Sequence, residues 1–271
     1  LKHDTHALLP GSDNPMTLCK FINPGINGNN LIWDFSKLET IEKFTGTIND
    51  VYRNKNFPEA NVDLEEFGTH FYFISDQNRI NQIGYSSKDN KTIVKYDQPY
   101  EKMIFPLSYG ETHSSIFSGN YEFDGKDIGT MNGEGLIEAD AWGTIILPNN
   151  SVYQNTIRVK SVKSYTLSYG GESMQEVEII TYRWYNSFHR YPLLVLTEYT
   201  TKCGSNICTN YQAAYNNNAI SENFKSATEE DALVIYPNPA DVELYLNYSS
   251  NSKQTVNISI FDVSGKLVFE N

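Results

Sequence analysis

The stretch Thr156-Ile157-Arg158-Val159-Lys160-Ser161-Val162 decides the fold. Ile157 and Val159 alternate with Thr156, Arg158 and Lys160, the period-2 pattern of a strand in a sheet with one wet face. Outward from it, strands are expected at 69–75, 79–86, 92–96, 113–123, 135–140, 143–147, 176–185, 193–201 and 208–215. Gly, Asn or Pro separates them about every ten residues, the rhythm of an antiparallel meander. Ahead of them, Pro58 opens a run with acids in its first turns and Gly68 as a stop, which predicts a short helix over 58–67. A second short helix is expected near Phe35 to Phe44, where Phe35, Leu38 and Ile41 fall at helical spacing. The first 30 residues, rich in Pro, Gly and Asn, read as irregular. Mainly β is therefore the expected class: a strongly curved antiparallel sheet, as a half-barrel or a sandwich, with one or two short helices.

Composition narrows the function. Tyr, Phe and Trp number 19, 14 and 3, a mix suited to a Tyr-rich β surface. The net charge of −12 excludes a nucleic-acid partner, which needs a basic footprint, and argues against an anionic membrane surface. No run of about 18 apolar residues marks a transmembrane helix. Leu1 opens without a secretory signal, which reads as the start of a mature chain. Of three cysteines, Cys19 reads as a buried thiol. Cys203 and Cys208 bracket Gly204-Ser205-Asn206-Ile207. With Ser205-Asn206 as a two-residue turn they would face each other across a hairpin, so a disulfide is expected. A metal site is the poorer reading for two sulfurs alone.

The tail reads separately. Tyr236-Pro237-Asn238-Pro239-Ala240 is an extended entry, because two prolines fix φ and remove two amide donors. Leu244 and Leu246, then Val256, Ile258 and Ile260, alternate as strands, and Asp262-Val263-Ser264-Gly265-Lys266 forms a turn into Leu267 to Phe269. These residues resemble the type A C-terminal sorting domain of proteins exported by the type IX secretion system of the Bacteroidota. The resemblance implies a secreted or outer-surface protein, the secretion machinery as partner, and Tyr236, Pro237, Asn238, Pro239, Asp262, Gly265 and Lys266 as sorting-motif residues. Such domains carry further strands, so a partial β-sandwich module is expected. The expected organisation is a β-rich domain over 1–225, a linker at 226–231 in a polar, patternless stretch, and the sorting module over 232–271.

A second resemblance covers about residues 105–196. Phe105-Pro106-Leu107, Gly143-Thr144-Ile145-Ile146-Leu147-Pro148, Ile157-Arg158-Val159-Lys160 and Tyr182-Arg183-Trp184-Tyr185 look similar to a module of secreted β proteins resembling lipoprotein-carrier half-barrels. It implies a curved sheet with a concave apolar face, and its motifs are structural.

No nucleophile elbow, zinc helix, P-loop or dinucleotide fingerprint is present, and neither a cofactor nor a metal is expected. Glu134 with Glu138, or Glu176 with Glu178, have the residue types of a paired-acid hydrolase, but on strands they read as a solvated face. Asp124-Gly125 reads as a hairpin turn rather than part of a calcium loop. The aromatic cluster Trp184, Tyr185, His189, Arg190 and Tyr191, with Trp142 apart from it, is the candidate ligand site, for an apolar or glycan ligand. The bland reading of the same cluster is a core where two strands join. Two functions follow: a non-catalytic exported binding protein, or an extracellular hydrolase of polysaccharide or protein.

Overall fold

The computed structural model describes residues 2–3, 14–49, 54–148, 151–170, 172–187, 189, 191–216, 232–236, 245–249, 258–261 and 267–270. The chain divides into two compact units, Leu1–Asn223 and Phe224–Asn271. In the first unit the strands are β1 (Lys2–His3), β2 (Asn14–Cys19), β3 (Gly28–Asp34), β4 (Thr40–Asn49) and β5 (Val62–Glu66). Then come β6 (Thr69–Ser75), β7 (Arg79–Ser87), β8 (Thr92–Ile104), β9 (Leu107–Ser108) and β10 (Thr112–Phe123). The long strands follow: β11 (Lys126–Leu147), β12 (Ser151–Tyr169), β13 (Glu172–Tyr185), β14 (Leu194–Cys203) and β15 (Asn206–Tyr215). The second unit has β16 (Ala232–Tyr236) paired with β17 (Tyr245–Ser249), and β18 (Ser259–Phe261) paired with β19 (Leu267–Glu270).

Twelve strands run antiparallel in the order β10-β8-β7-β6-β5-β4-β2-β15-β14-β13-β12-β11, and β11 pairs with β10 to close the ring. The fold is therefore a closed barrel, where the sequence led us to expect a half-barrel or a sandwich. Closure rests on the two edges of β10. One pairs along β11 from Thr112 to Phe123, and the other meets β8 only over Ser118–Phe123. Pro99 stands next in β8 and has no amide to donate, so the pairing with β10 ends there and a split opens in the wall. Strand β3 adds to the far half of β11 in parallel.

Neither expected helix forms, and the described residues contain no α-helix. Half of the run read as a helix over 58–67 is strand β5, and the rest is turn and irregular backbone. Val62, Leu64 and Glu66 face inward, while Asp63 and Glu65 face out to His70 (3.0 Å) and Lys88 (3.0 Å). Acids at alternate positions gave the run its helical look, but the period that wins is two, because pairing with β6 buries Val62 and Leu64. Gly68 is not a helix stop. With Phe67 (φ 49°) and its own φ of 74°, it makes the two-residue turn between β5 and β6. Asp124 and Gly125 (φ 51° and 74°) make the same kind of turn between β10 and β11. The residues read as a helix near Phe35 to Phe44 lead into β4, which pairs with β2.

The barrel wall is buried on both faces in places, giving cores inside and outside. Inside lie Ile48, Val62, Leu64, Phe73, Ile80, Ile157, Val159 and Tyr185, continued by Val94, Tyr96, Tyr100, Phe117 and Met131. Outside, Trp33, Trp184, Leu194, Leu196 and Tyr215 form a second core under the segment 20–38. That segment overturns the expectation of one wet face around Arg158, which is 1% exposed. Its guanidinium donates to both oxygens of Asp140 (2.8 Å each) and to the carbonyls of Pro24 (2.5 Å) and Ile26 (3.0 Å). Trp33, Tyr182 and Trp184 surround it with ring centroids at 5.2–5.7 Å. Gly143 lets the backbone of β3 approach: a Cβ there would fall 2.0 Å from the Leu31 carbonyl oxygen.

Candidate ligand site in the barrel lumen

Alternation carries polar side chains as well as apolar ones into the lumen. Glu66 continues the inward series of Val62 and Leu64 on β5, and Arg183 stands opposite inward Val159. Lys102 follows inward Tyr100 at a bulge in β8 and lies 4.8 Å above the Phe73 ring. All three side chains are of intermediate exposure. Burial, then repulsion from Arg183, pushes Lys102 down to about 8, while Glu66 pulls it the other way. Burial raises Glu66 above the usual carboxylate range, and the two cations counter this. Further along the lumen, Lys163 sits among Tyr96, Tyr100, Phe117 and Tyr165, with ring centroids at 4.4–5.6 Å, and donates to the Tyr96 hydroxyl (2.9 Å). Burial, and then Lys102, push its amine down to about 7.

Glu66, Lys102 and Arg183 share the wall of a cavity of about 180 Å³ with apolar Met16, Phe44, Leu64, Ile80, Met103 and Val195. Tyr185 and Tyr191 line it too. The sequence-based aromatic cluster is thus divided by the barrel wall, since successive strand residues point to opposite faces. Tyr185 faces in, whereas Trp184 is fully buried in the outer core, edge-on to Trp33 (5.9 Å) and Phe35 (5.7 Å). His189 packs its ring edge-on against Tyr153 (5.4 Å). Trp142 is half-buried opposite Ile157, which in turn pairs with Tyr185. Arg190 lies outside the described residues. Sequence reading missed Glu66, Lys102, Lys163 and Arg183. The available signal was a charge on the inward parity of three strands: Val62-x-Leu64-x-Glu66, Val159-x-Ser161-x-Lys163 and Arg183-x-Tyr185.

The expected disulfide is absent: Cys203 and Cys208 are free and exposed. The turn is Gly204-Ser205, not Ser205-Asn206, because Gly204 (φ 59°) supplies the positive φ that the first position of a tight hairpin turn requires. The register then sets Cys203 opposite Asn206 and Cys208 opposite Thr201. The two cysteines become diagonal neighbours, roughly 7–8 Å apart, beyond the Cα span of about 4.4–6.8 Å that a bridge needs. Cys19 is buried, and burial pushes its thiol up to about 11.

A second concavity of about 830 Å³ follows the split in the wall, lined by Gln98, Pro99, Glu101, Ser115, Glu134 and Glu178. Glu101 binds His113 (2.5 Å) and Arg79 (3.1 Å). Glu134 and Glu178 stand on either side of Ser164, two strands apart, both exposed. Among the described residues no group of three or more His, Cys, Asp or Glu could hold a metal ion, and no helix is long and apolar enough to cross a membrane.

In the second unit, β16 ends at Tyr236, which pairs with Tyr245. Pro237, Asn238, Pro239, Asp262, Gly265 and Lys266 lie outside the described residues. The decisive finding is a family match at the end of the chain. Residues 234–271 match the secretion system C-terminal sorting domain. The tail is a type IX sorting domain, which marks a protein for secretion and for attachment to the cell surface or release. The sorting domain also implies handling by the type IX machinery. No curated protein and no solved structure matches the chain.

Proposed function

We propose that this exported protein is a non-catalytic binding protein whose barrel lumen takes a small apolar ligand, with residues 1–225 forming the binding domain and 232–271 its address. One observation carries this reading: the cavity of about 180 Å³ opens among apolar side chains inside the wall, with Tyr185 and Tyr191 as amphipathic lining. A cavity of about 150 Å³ lined by aliphatic and aromatic side chains suffices to hold benzene, which sets the size of the buried part of the ligand. The test is saturable binding of toluene, read by calorimetry and compared with an Ala214→Phe variant that fills the cavity. Binding by the parent chain and its loss in the variant support the lumen. Absence of saturable binding, or equal binding by the variant, removes it.

The outer concavity supports a second reading, glycan binding or hydrolysis. Two strand spacings of about 4.8 Å put the Glu134 and Glu178 backbones roughly 10 Å apart, near the wide carboxylate separation of inverting glycosidases. Both acids are exposed on an open face. Polysaccharide hydrolysis that disappears in both Glu134→Gln and Glu178→Gln would establish this reading over the first.

A further inference from the structure

We infer that the lumenal ligand is a small carboxylic acid of about the size of benzoate or hexanoate, its carboxylate seated between Lys102 and Arg183. The inference rests on the lumenal binding reading and adds the chemistry of the head group. Lys102 makes no hydrogen bond or ion pair among the described residues, and its nearest aromatic neighbour is the Phe73 ring. Arg183 commits only Nη1, to the Ser161 hydroxyl (3.1 Å), so most of its planar fork remains open. Glu66 is the one acid among the residues lining the cavity, against two cations. It lies folded over Gly46, where a Cβ would come within 2.7 Å of its Oε1.

Lys102 and Arg183 line one small cavity and repel each other. Two such cations cost free energy unless anions balance them, and Glu66 supplies one charge against two. A chloride or phosphate would satisfy the charge but leave the apolar walls without a partner. A bare hydrocarbon would do the reverse. A carboxylate on a short apolar body meets both, since a guanidinium fork accepts a carboxylate in bidentate geometry. The size follows from the cavity, which is slightly larger than one that holds benzene.

The test is calorimetric titration of the full chain at pH 7 with benzoate, benzyl alcohol and benzylamine, which share one apolar body and differ in head charge. Benzoate is expected to bind at least tenfold more tightly than benzyl alcohol, with benzylamine weakest. Lys102→Met and Arg183→Gln should each weaken benzoate about tenfold and leave benzyl alcohol unchanged, while Lys102→Arg retains the preference. Equal affinity for acid and alcohol overturns the head-group inference and leaves lumenal binding standing. Preference for the amine overturns it in favour of Glu66 as the recognition group. Failure of all three ligands together with toluene overturns both readings.

Discussion

Arg158 should be the most destabilising single position to change in the barrel. Its side chain is 1% exposed, and its donors reach Asp140 twice, Pro24 and Ile26, with a longer contact to Gly25 (3.4 Å). Arg158→Met keeps much of the length and apolar stem but leaves the Asp140 carboxylate, 5% exposed, without its countercharge. It also orphans the carbonyls that bind the segment 20–38 to the wall. Removing one member of a buried ion pair costs about 3–5 kcal/mol. For a unit of this size that corresponds to a fall in Tm of roughly 6–20 °C. The assay is thermal unfolding followed by tryptophan fluorescence, well placed because Trp33 and Trp184 flank the guanidinium. The double variant Arg158→Met/Asp140→Leu removes the stranded charge and should recover at least about 1 kcal/mol of the loss, a non-additivity expected of contacting partners. A single-variant cost below about 1 kcal/mol, or losses that simply add in the double variant, would refute the clamp and make Arg158 an ordinary wall residue.

Three further outcomes are expected. Unfolding the chain without reductant should expose three titratable thiols per molecule, and a count of one would restore the Cys203–Cys208 bridge against the observed register. Gly143→Ala places a methyl 2.0 Å from the Leu31 carbonyl and should cost about 1–3 kcal/mol as an overpacked site. Amide exchange of residues 28–34 should then accelerate selectively, and unchanged exchange there would count against a close β3–β11 approach. Lys163, pushed down to about 7, and Lys102, pushed down to about 8, bind fewer protons folded than unfolded, where a lysine titrates near 10.4. Stability in urea should therefore rise with pH from about 7 toward 10, and Lys163→Met should flatten that rise; a slope that the substitution leaves unchanged would show that Lys163 is not the source.

Much of the barrel was legible because its later strands obey one rule for long distances. From Thr112 to Tyr215 alternation plus turn residues located every wall segment, with β10, β13, β14 and β15 bounded to within four residues. Strands β11 and β12 extend well beyond the stretches expected at 135–147 and 156–164. The two stretches 135–140 and 143–147 were read as separate strands, yet they are one, β11, bent by a bulge at Asp140. The first 66 residues were illegible for a physical reason. Strands β2, β3, β4 and β5 are short or polar on their outer face, and β2 and β3 gain their order from partners far along the chain, β15 and β11. Propensity in those runs carries less weight than the hydrogen bonds that a closed ring demands of every edge. Closure itself was not legible, because a half-barrel, a sandwich and a barrel share one strand pattern and differ only in which edges meet.

The candidate site was obscured by the same alternation that revealed the fold. Reading Trp184-Tyr185 through to Tyr191 as one aromatic cluster groups neighbours in sequence, but a strand sends adjacent residues to opposite sides of its wall. Trp184 therefore joins Arg158 in the outer core, and Tyr185 joins Arg183 in the lumen. A charged residue on an apolar parity would ordinarily count as an exposed end or a break in the strand. In a closed barrel it has a third outcome, because inward positions on distant strands converge. Glu66, Lys102 and Arg183 come from strands β5, β8 and β13 and reach one cavity only because the ring closes. No local pattern contains that convergence. It follows that the chemistry of this protein is a property of closure, and that weakening the β8–β10 seam, for example with Gly119→Val against the Lys95 carbonyl, should disturb lumenal binding before it disturbs the outer core around Arg158.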